Sequence, residues 1–116
     1  MGQAMTKQET IEEITRRLVD FYQPVRIYLF GSEARGDSGA DSDLDFLVVV
    51  EDATPDSVFR NGEVYGRLRG VGASVDVVPW RRSDFDGRSA HVRSSLPATV
   101  LREGRLVYDS EPVSVG

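Results

Sequence analysis

Apolar side chains recur along this chain with two different periods, which predict its helices and strands. Near the start, four apolar residues recur at helical spacing with charged residues between them: Ile11, Ile14, Leu18 and Phe21. This pattern predicts an amphipathic helix that ends before Pro24. Thr10 and Glu13 have the spacing of a capping box, so we expect the helix to begin there.

Short runs of β-branched and aromatic residues predict four strands. Residues 25–30 and 44–50 are strongly apolar, and the second run is nearly continuous. Such a run is typical of a strand that is buried on both faces. Residues 75–79 predict a third strand, and residues 104–108 predict a short strand at the edge of the sheet.

The segments between these strands favour helices. A short helix is expected from Ser32, and Pro55 occupies the first position of a helix predicted to end near Arg69. A further helix is predicted over residues 90–102, where Pro97 either kinks it or begins a new segment. The remaining segments are expected to lack regular structure: a loop at 36–40, an irregular stretch at 80–88, and flexible ends at 1–8 and 110–116.

Alternation of helices and strands along one short chain predicts a single sheet covered by helices, in the mixed α/β class. The length of 116 residues fits one domain spanning residues 1–116, since domains typically have about 100–200 residues. The direction of strand pairing is not readable from the pattern. Translation is equally compatible with a start at Met1 or at Met5.

Composition narrows the classes of function. The formal net charge of -5 disfavours direct binding to nucleic acid, and the absence of cysteine excludes thiolate metal sites and disulfides. The longest apolar run, residues 46–50, is far shorter than the roughly 20 residues of a membrane span. The first residues lack the apolar core of a signal peptide, so we expect a cytoplasmic protein without a membrane anchor.

Two aspartates at the entry to the second strand are the first candidates for chemistry. Asp43 and Asp45 are one residue apart, so their side chains point to the same face, roughly 6.6 Å apart along the strand. Asp76 lies in the third predicted strand and joins them if the two strands are neighbours. Carboxylates in this pattern suit Mg²⁺, although a solvent-exposed turn explains the pair equally well.

The Gly31-Ser32 turn supplies the features of a phosphate site. Glycine allows the backbone to approach a ligand closely, and the start of a helix offers free N–H groups and a positive dipole end. Arg35, one turn later, adds positive charge. Elsewhere, we interpret Tyr65 and Trp80 as packing residues and His91 as a surface or structural residue.

Taken in order, these motifs resemble a known family. Residues 31–36 read GSEARG, residues 42–45 read SDLD before an apolar run, and residues 75–78 read VDVV. This set resembles the minimal nucleotidyltransferase (MNT) family of the DNA polymerase β superfamily, whose pattern is GSxARG, SDxDxxV and a later aspartate on a strand. The resemblance implies a polymerase β-like fold with a small mixed sheet of about four strands.

The resemblance also implies the roles of individual residues. Asp43 and Asp45 are expected to hold two Mg²⁺ ions, and Asp76 to complete the metal site and activate the attacking hydroxyl. Gly31 and Ser32 are expected to bind the triphosphate of ATP, the nucleotide donor. Arg35 is carried over as a further nucleotide-binding residue, although pairing with a nearby aspartate is the alternative.

The implied partner is a helical HEPN protein encoded nearby. In such pairs the MNT protein is an antitoxin that transfers AMP to a hydroxyl, commonly a tyrosine, of the HEPN toxin, so a hetero-oligomer is expected. Two alternatives stay open. One is an antitoxin that neutralises a toxin by contact without catalysis. The other is nucleotidyl transfer to a small molecule such as an aminoglycoside, which the absence of an acceptor-binding domain disfavours.

Overall fold

The computed structural model describes residues 6–31, 43–60 and 62–111. These residues form helices and strands in the following order: α1 (Lys7–Tyr22), β1 (Arg26–Phe30), β2 (Leu44–Val50), α2 (Asp56–Phe59), α3 (Glu63–Arg67), β3 (Val75–Arg81), α4 (Arg82–His91), α5 (Leu96–Glu103) and β4 (Arg105–Asp109). Among the described helices, none has the length and apolarity needed to cross a membrane.

All four predicted strands are present and form one mixed sheet in the order β3-β2-β1-β4. Strand β1 pairs antiparallel with β2 and β4, whereas β2 and β3 are parallel. The predicted α/β class is therefore confirmed, and so is the edge position of the last strand. Strand β3 runs two residues further than predicted, to Arg81.

Strand β2 lies at the centre of the core, as its continuous apolar run predicts. Phe46 and Val48 pack with α1 on one face of the sheet, which we call the α1 face. Leu47 and Val49 pack on the opposite face with Phe85 of α4 and with α5; we call this the α4–α5 face. All four of these β2 side chains have no exposed surface, so β2 is held from both sides.

Helix α1 begins earlier than the pattern predicts. The N-cap is Thr6, whose hydroxyl accepts a hydrogen bond from the Glu9 amide at 3.1 Å, while the Glu9 carboxylate accepts one from the Thr6 amide at 2.8 Å. The capping box predicted at Thr10 and Glu13 is therefore wrong. Both quartets have the required spacing, and the earlier one adds four residues, slightly more than one turn of helix. Glu13 instead pairs with Arg17 at 2.7 Å.

The irregular stretch predicted at residues 80–88 is also wrong. Residues 80 and 81 extend β3, and α4 follows directly. This helix is polar apart from Phe85, which is 1% exposed and stacks on Tyr28 of β1 with ring centroids 5.6 Å apart. The packing of Phe85 on the α4–α5 face therefore stabilises a helix that its polar composition does not predict.

Two other predicted helices are divided. The segment expected up to Arg69 forms the short helices α2 and α3, and Gly62 immediately precedes α3. Toward the C-terminus, α4 ends at His91 and α5 begins after Ser95, whose hydroxyl accepts a hydrogen bond from the Ala98 amide. Pro97 lies in the first turn of α5, so it begins a new segment instead of kinking one helix.

The expected flexible ends are shorter in the described residues. Lys7 and Gln8 belong to α1, and the Ser110 amide donates to the Val25 carbonyl at 2.9 Å. The short helix expected from Ser32 and the loop at 36–40 lie outside the described residues.

Replacing the observed cap should destabilise the protein more than replacing the predicted one. Thr6→Ala removes the oxygen that accepts the Glu9 amide, which should lower the free energy of unfolding by about 1 kcal/mol. Thr10→Ala, inside the helix, should leave the free energy of unfolding unchanged or slightly higher, because alanine has the greater helix propensity. Urea denaturation of both variants measures the difference. A greater loss at Thr10 would contradict the assignment of the cap.

Candidate active site

The three candidate carboxylates meet at one end of the sheet, where β1 ends and β2 and β3 begin. Asp45 of β2 lies opposite Phe30 of β1 on one side and opposite Asp76 of β3 on the other. Neighbouring strands are about 4.8 Å apart, so the parallel pairing of β2 with β3 places Asp45 and Asp76 side by side. The neighbouring strands required by the sequence argument are thus observed.

Asp43 completes the group from the residue before β2. It precedes Asp45 by two residues, so the alternation of the strand directs the two side chains to the same side. Because Leu44 and Phe46 pack on the α1 face, Asp45 lies on the α4–α5 face. Asp43 and Asp76 are exposed and Asp45 is half-buried. The three carboxylates, which we call the acidic group, therefore open to solvent.

This arrangement changes the pKa of Asp45. Partial burial, together with the charges of Asp76 and Asp43, raises the pKa of the Asp45 carboxyl above its ordinary value of 3.8. Burial contributes most, because it removes water from the charged form. The charges of both neighbours raise this pKa. The three negative charges therefore repel one another, and a cation between them would reduce this repulsion.

Gly31 borders the acidic group directly after β1. Its φ angle of +80° is in the region that favours glycine. A Cβ atom at this position would lie 2.5 Å from Oδ2 of Asp45, closer than such atoms approach. Gly31 therefore meets two requirements at once: it turns the chain out of β1 and it leaves room for the Asp45 carboxylate.

The donor chemistry of the acidic group fits a hard divalent cation. Mg²⁺ prefers oxygen ligands and is commonly held by one or two carboxylates together with substrate phosphate oxygens. In the described part of the chain, no three acidic, histidine or cysteine side chains are already arranged as a metal site. A cation held partly by phosphate does not need such a cage, so the carboxylates fit a site that a phosphate ligand would complete.

The structure thus brings together four of the six residues singled out in the sequence: Gly31, Asp43, Asp45 and Asp76. Ser32 and Arg35 lie outside the described residues. Tyr65, Trp80 and His91 were not predicted to belong to the site. Of these, Trp80 packs on the α4–α5 face. His91 ends α4, outside the acidic group.

Sequence reasoning missed a contact made by Tyr65 of α3. Its hydroxyl accepts a hydrogen bond from the Val77 amide at 3.2 Å and donates to the Val77 carbonyl at 3.4 Å. Tyr65 is 48% exposed, so the expectation of a packing residue is incomplete. The two residues are 12 positions apart on different elements, and no local pattern reports the contact.

Comparison with known proteins identifies the class. Residues 10–104 match the model of the nucleotidyltransferase domain family. The chain therefore belongs to this family, and the resemblance noted in its motifs is confirmed at that level. No curated protein sequence matches the chain.

Solved structures share the fold. A proposed nucleotidyltransferase from Sulfolobus solfataricus is 23% identical with a TM-score of 0.58, and the match covers 98% of both chains. A proposed minimal nucleotidyltransferase is 26% identical with a TM-score of 0.56, over 89% of this chain and 97% of that one. A toxin–antitoxin structure with AMP-PNP is 22% identical with a TM-score of 0.57, over 91% and 76%.

Gly31→Ala should disturb the acidic group, whereas a matched change at Gly70 should not. Gly31 and Gly70 have φ angles of +80° and +83°, so alanine at either should cost about 1–3 kcal/mol of stability. Only at Gly31 does the added Cβ meet Asp45; at Gly70 it meets nothing within 4 Å. The ¹³C shift of the Asp45 carboxyl should therefore change only in Gly31→Ala. Equal shifts in both variants would refute the contact.

Asp45→Asn should stabilise the metal-free protein at neutral pH. Because the pKa of Asp45 is raised in the folded state, the folded protein binds more protons than the unfolded chain as pH rises from the ordinary pKa to the folded one. Stability falls through that window and stays lowered above it. Asparagine removes this penalty, so the gain should be present at pH 7 and disappear below the ordinary pKa.

Thermal unfolding in chelator across this pH range measures the effect. Asp20→Asn, on the exposed surface of α1, is the control and should not alter the pH dependence. An Asp45→Asn variant that is less stable than the original protein at pH 7 would show that the carboxylate is stabilised by its neighbours.

Proposed function

We propose that this protein is a Mg²⁺-dependent enzyme that transfers AMP, or another nucleoside monophosphate, from a nucleoside triphosphate to a hydroxyl group. The observation that carries the proposal is the direct pairing of Asp45 with Asp76, with Asp43 two residues away and Gly31 against the Asp45 carboxylate. Membership of the nucleotidyltransferase domain family supports the same chemistry.

Each residue has a role in this reaction. Asp43 and Asp45 would hold two divalent ions, with Asp76 as a further ligand. Divalent ions, when bound, neutralise charge on the attacking and leaving oxygens of an in-line phosphoryl transfer. Gly31 leaves the backbone open to the triphosphate, and Ser32 and Arg35 would contact its phosphates.

The acceptor hydroxyl would be held beside Asp76. This carboxylate is exposed, and it lies on β3 at the edge of the sheet, where a second molecule can approach it. Asp76 would accept a hydrogen bond from the hydroxyl and take its proton as the new oxygen–phosphorus bond forms. The bond between the α- and β-phosphates breaks, and pyrophosphate leaves.

We further propose that the acceptor is a tyrosine of a HEPN toxin and that the protein acts as an antitoxin within a hetero-oligomer. The motif resemblance to the MNT family supports this partner. The fold shared with toxin–antitoxin structures is consistent with it, and one of those structures carries AMP-PNP. ATP would then be the donor and the protein a protein adenylyltransferase.

Asn substitutions in the acidic group should abolish transfer. We expect the protein, incubated with labelled ATP, Mg²⁺ and the product of the neighbouring gene, to label that product. Asp43→Asn and Asp45→Asn should each reduce labelling by at least about a hundredfold, because each removes a charged ligand. Scintillation counting of the separated proteins measures the transfer, and chelation of Mg²⁺ should have the same effect.

Asp20→Asn serves as the matched control and should retain full labelling, since Asp20 is an exposed residue of α1 outside the acidic group. Two results would redirect the proposal. Asn variants that still protect cells from the toxin without labelling would favour an antitoxin that acts by contact alone. Labelling of an aminoglycoside but of no protein would favour a small-molecule acceptor.

A further inference from the structure

The edge of β3 next to Asp76 is held by a side chain from another element. Among the described strands, β3 pairs with β2 alone, so no described strand pairs with the backbone groups on its other side. The Tyr65 hydroxyl lies there, accepting from the Val77 amide at 3.2 Å and donating to the Val77 carbonyl at 3.4 Å. The second distance is long for an O–H donor, so the amide bond is the stronger of the two.

Tyr65 is itself anchored at both ends of its short helix. Its neighbours Val64 and Leu68 are buried in the core, with 2% and 6% of their surfaces exposed. From α1, the Arg17 guanidinium donates to the Arg69 carbonyl at 2.8 Å and to the Arg67 carbonyl at 3.3 Å. Because Tyr65 projects from a fixed segment, its hydroxyl can hold the edge of β3 in place.

Repulsion within the acidic group tends to displace β3, and the Tyr65 contact opposes this displacement. Asp45 and Asp76 are register partners on strands about 4.8 Å apart, and like charges directly opposite each other are destabilising. This repulsion acts at the start of β3, which has a neighbouring strand on one side only in the part of the chain that the structure describes. A contact one residue from Asp76, on the side away from Asp45, resists displacement of the strand.

We propose that Tyr65 is a positioning residue that fixes the backbone beside Asp76 and thereby sets this carboxylate against Asp43 and Asp45. The inference deepens the proposed function and rests on it for the role of Asp76. Tyr65 touches neither the nucleotide nor the acceptor in this scheme. It acts through Val77, and its hydroxyl oxygen is the atom that carries the effect.

Tyr65→Phe removes this oxygen and keeps the ring. We expect hydrogen exchange of the Val77 amide, followed by NMR, to become faster by roughly fivefold to tenfold, as the loss of one hydrogen bond implies. The amides of β2 should keep their protection. Tyr108→Phe, which removes the same atom from β4 at the opposite edge, is the matched control and should leave exchange at Val77 unchanged.

A second measurement follows the carboxylates, with Mn²⁺ alone as the metal probe and electron paramagnetic resonance as the readout. Tyr65→Phe should weaken Mn²⁺ binding by about tenfold, the lower end of the loss seen when a group supporting a metal ligand is removed. Tyr108→Phe should not weaken it, and Asp76→Asn should weaken it at least as much as Tyr65→Phe.

The outcomes separate this inference from the proposed function. Unchanged exchange at Val77 in Tyr65→Phe would overturn the inference. Faster exchange at Val77 in Tyr65→Phe with unchanged Mn²⁺ affinity would also overturn the inference, provided that Asp76→Asn weakens Mn²⁺ binding. If Asp76→Asn alters neither Mn²⁺ binding nor transfer, the proposed role of Asp76 fails, and exchange at Val77 alone then decides whether Tyr65 holds the strand.

Discussion

The candidate site is built on a pairing of like charges: Asp45 and Asp76 occupy partner positions on parallel strands, with Asp43 nearby. Ordinary sheets avoid such pairs, because like charges directly opposite each other are destabilising. Partial burial, and after it the charges of Asp76 and Asp43, raises the pKa of Asp45 above its ordinary value. A cation bound between the carboxylates would offset this repulsion, so the proposed chemistry follows from the register of the two strands.

The rest of the fold supplies the stability that offsets this cost. Strand β2 carries Asp45 near its start and is buried on both faces along the remainder, so the repulsion acts on a strand that the core holds firmly. At the other end of β3, the Arg81 guanidinium donates to the carbonyls of Asp52 and Thr54 and pairs with Asp56. The burial of β2 and the contacts of Arg81 therefore hold in place the two strands that carry Asp45 and Asp76.

The sequence predicted those parts of the fold that local pattern controls. Apolar runs located the four strands, and the spacing of Asp43 and Asp45 placed both on one side. What it could not predict depends on contacts between distant residues. Phe85 turns a polar stretch into a helix by stacking on Tyr28, and Tyr65 reaches the edge of β3 across 12 positions. The predicted cap of α1 was wrong for another reason: two consecutive quartets, residues 6–9 and 10–13, both have the spacing of a capping box, and the helix begins at the earlier one.

The acidic group also bears on how binding and stability are coupled. Like charges brought together in the folded state raise its energy, and a cation that binds only to the folded protein would lower that energy by mass action. If the proposed triphosphate contributed oxygens to the same cation, metal and nucleotide would each favour binding of the other. On the proposed function, the cation would therefore bind best when a nucleotide is present.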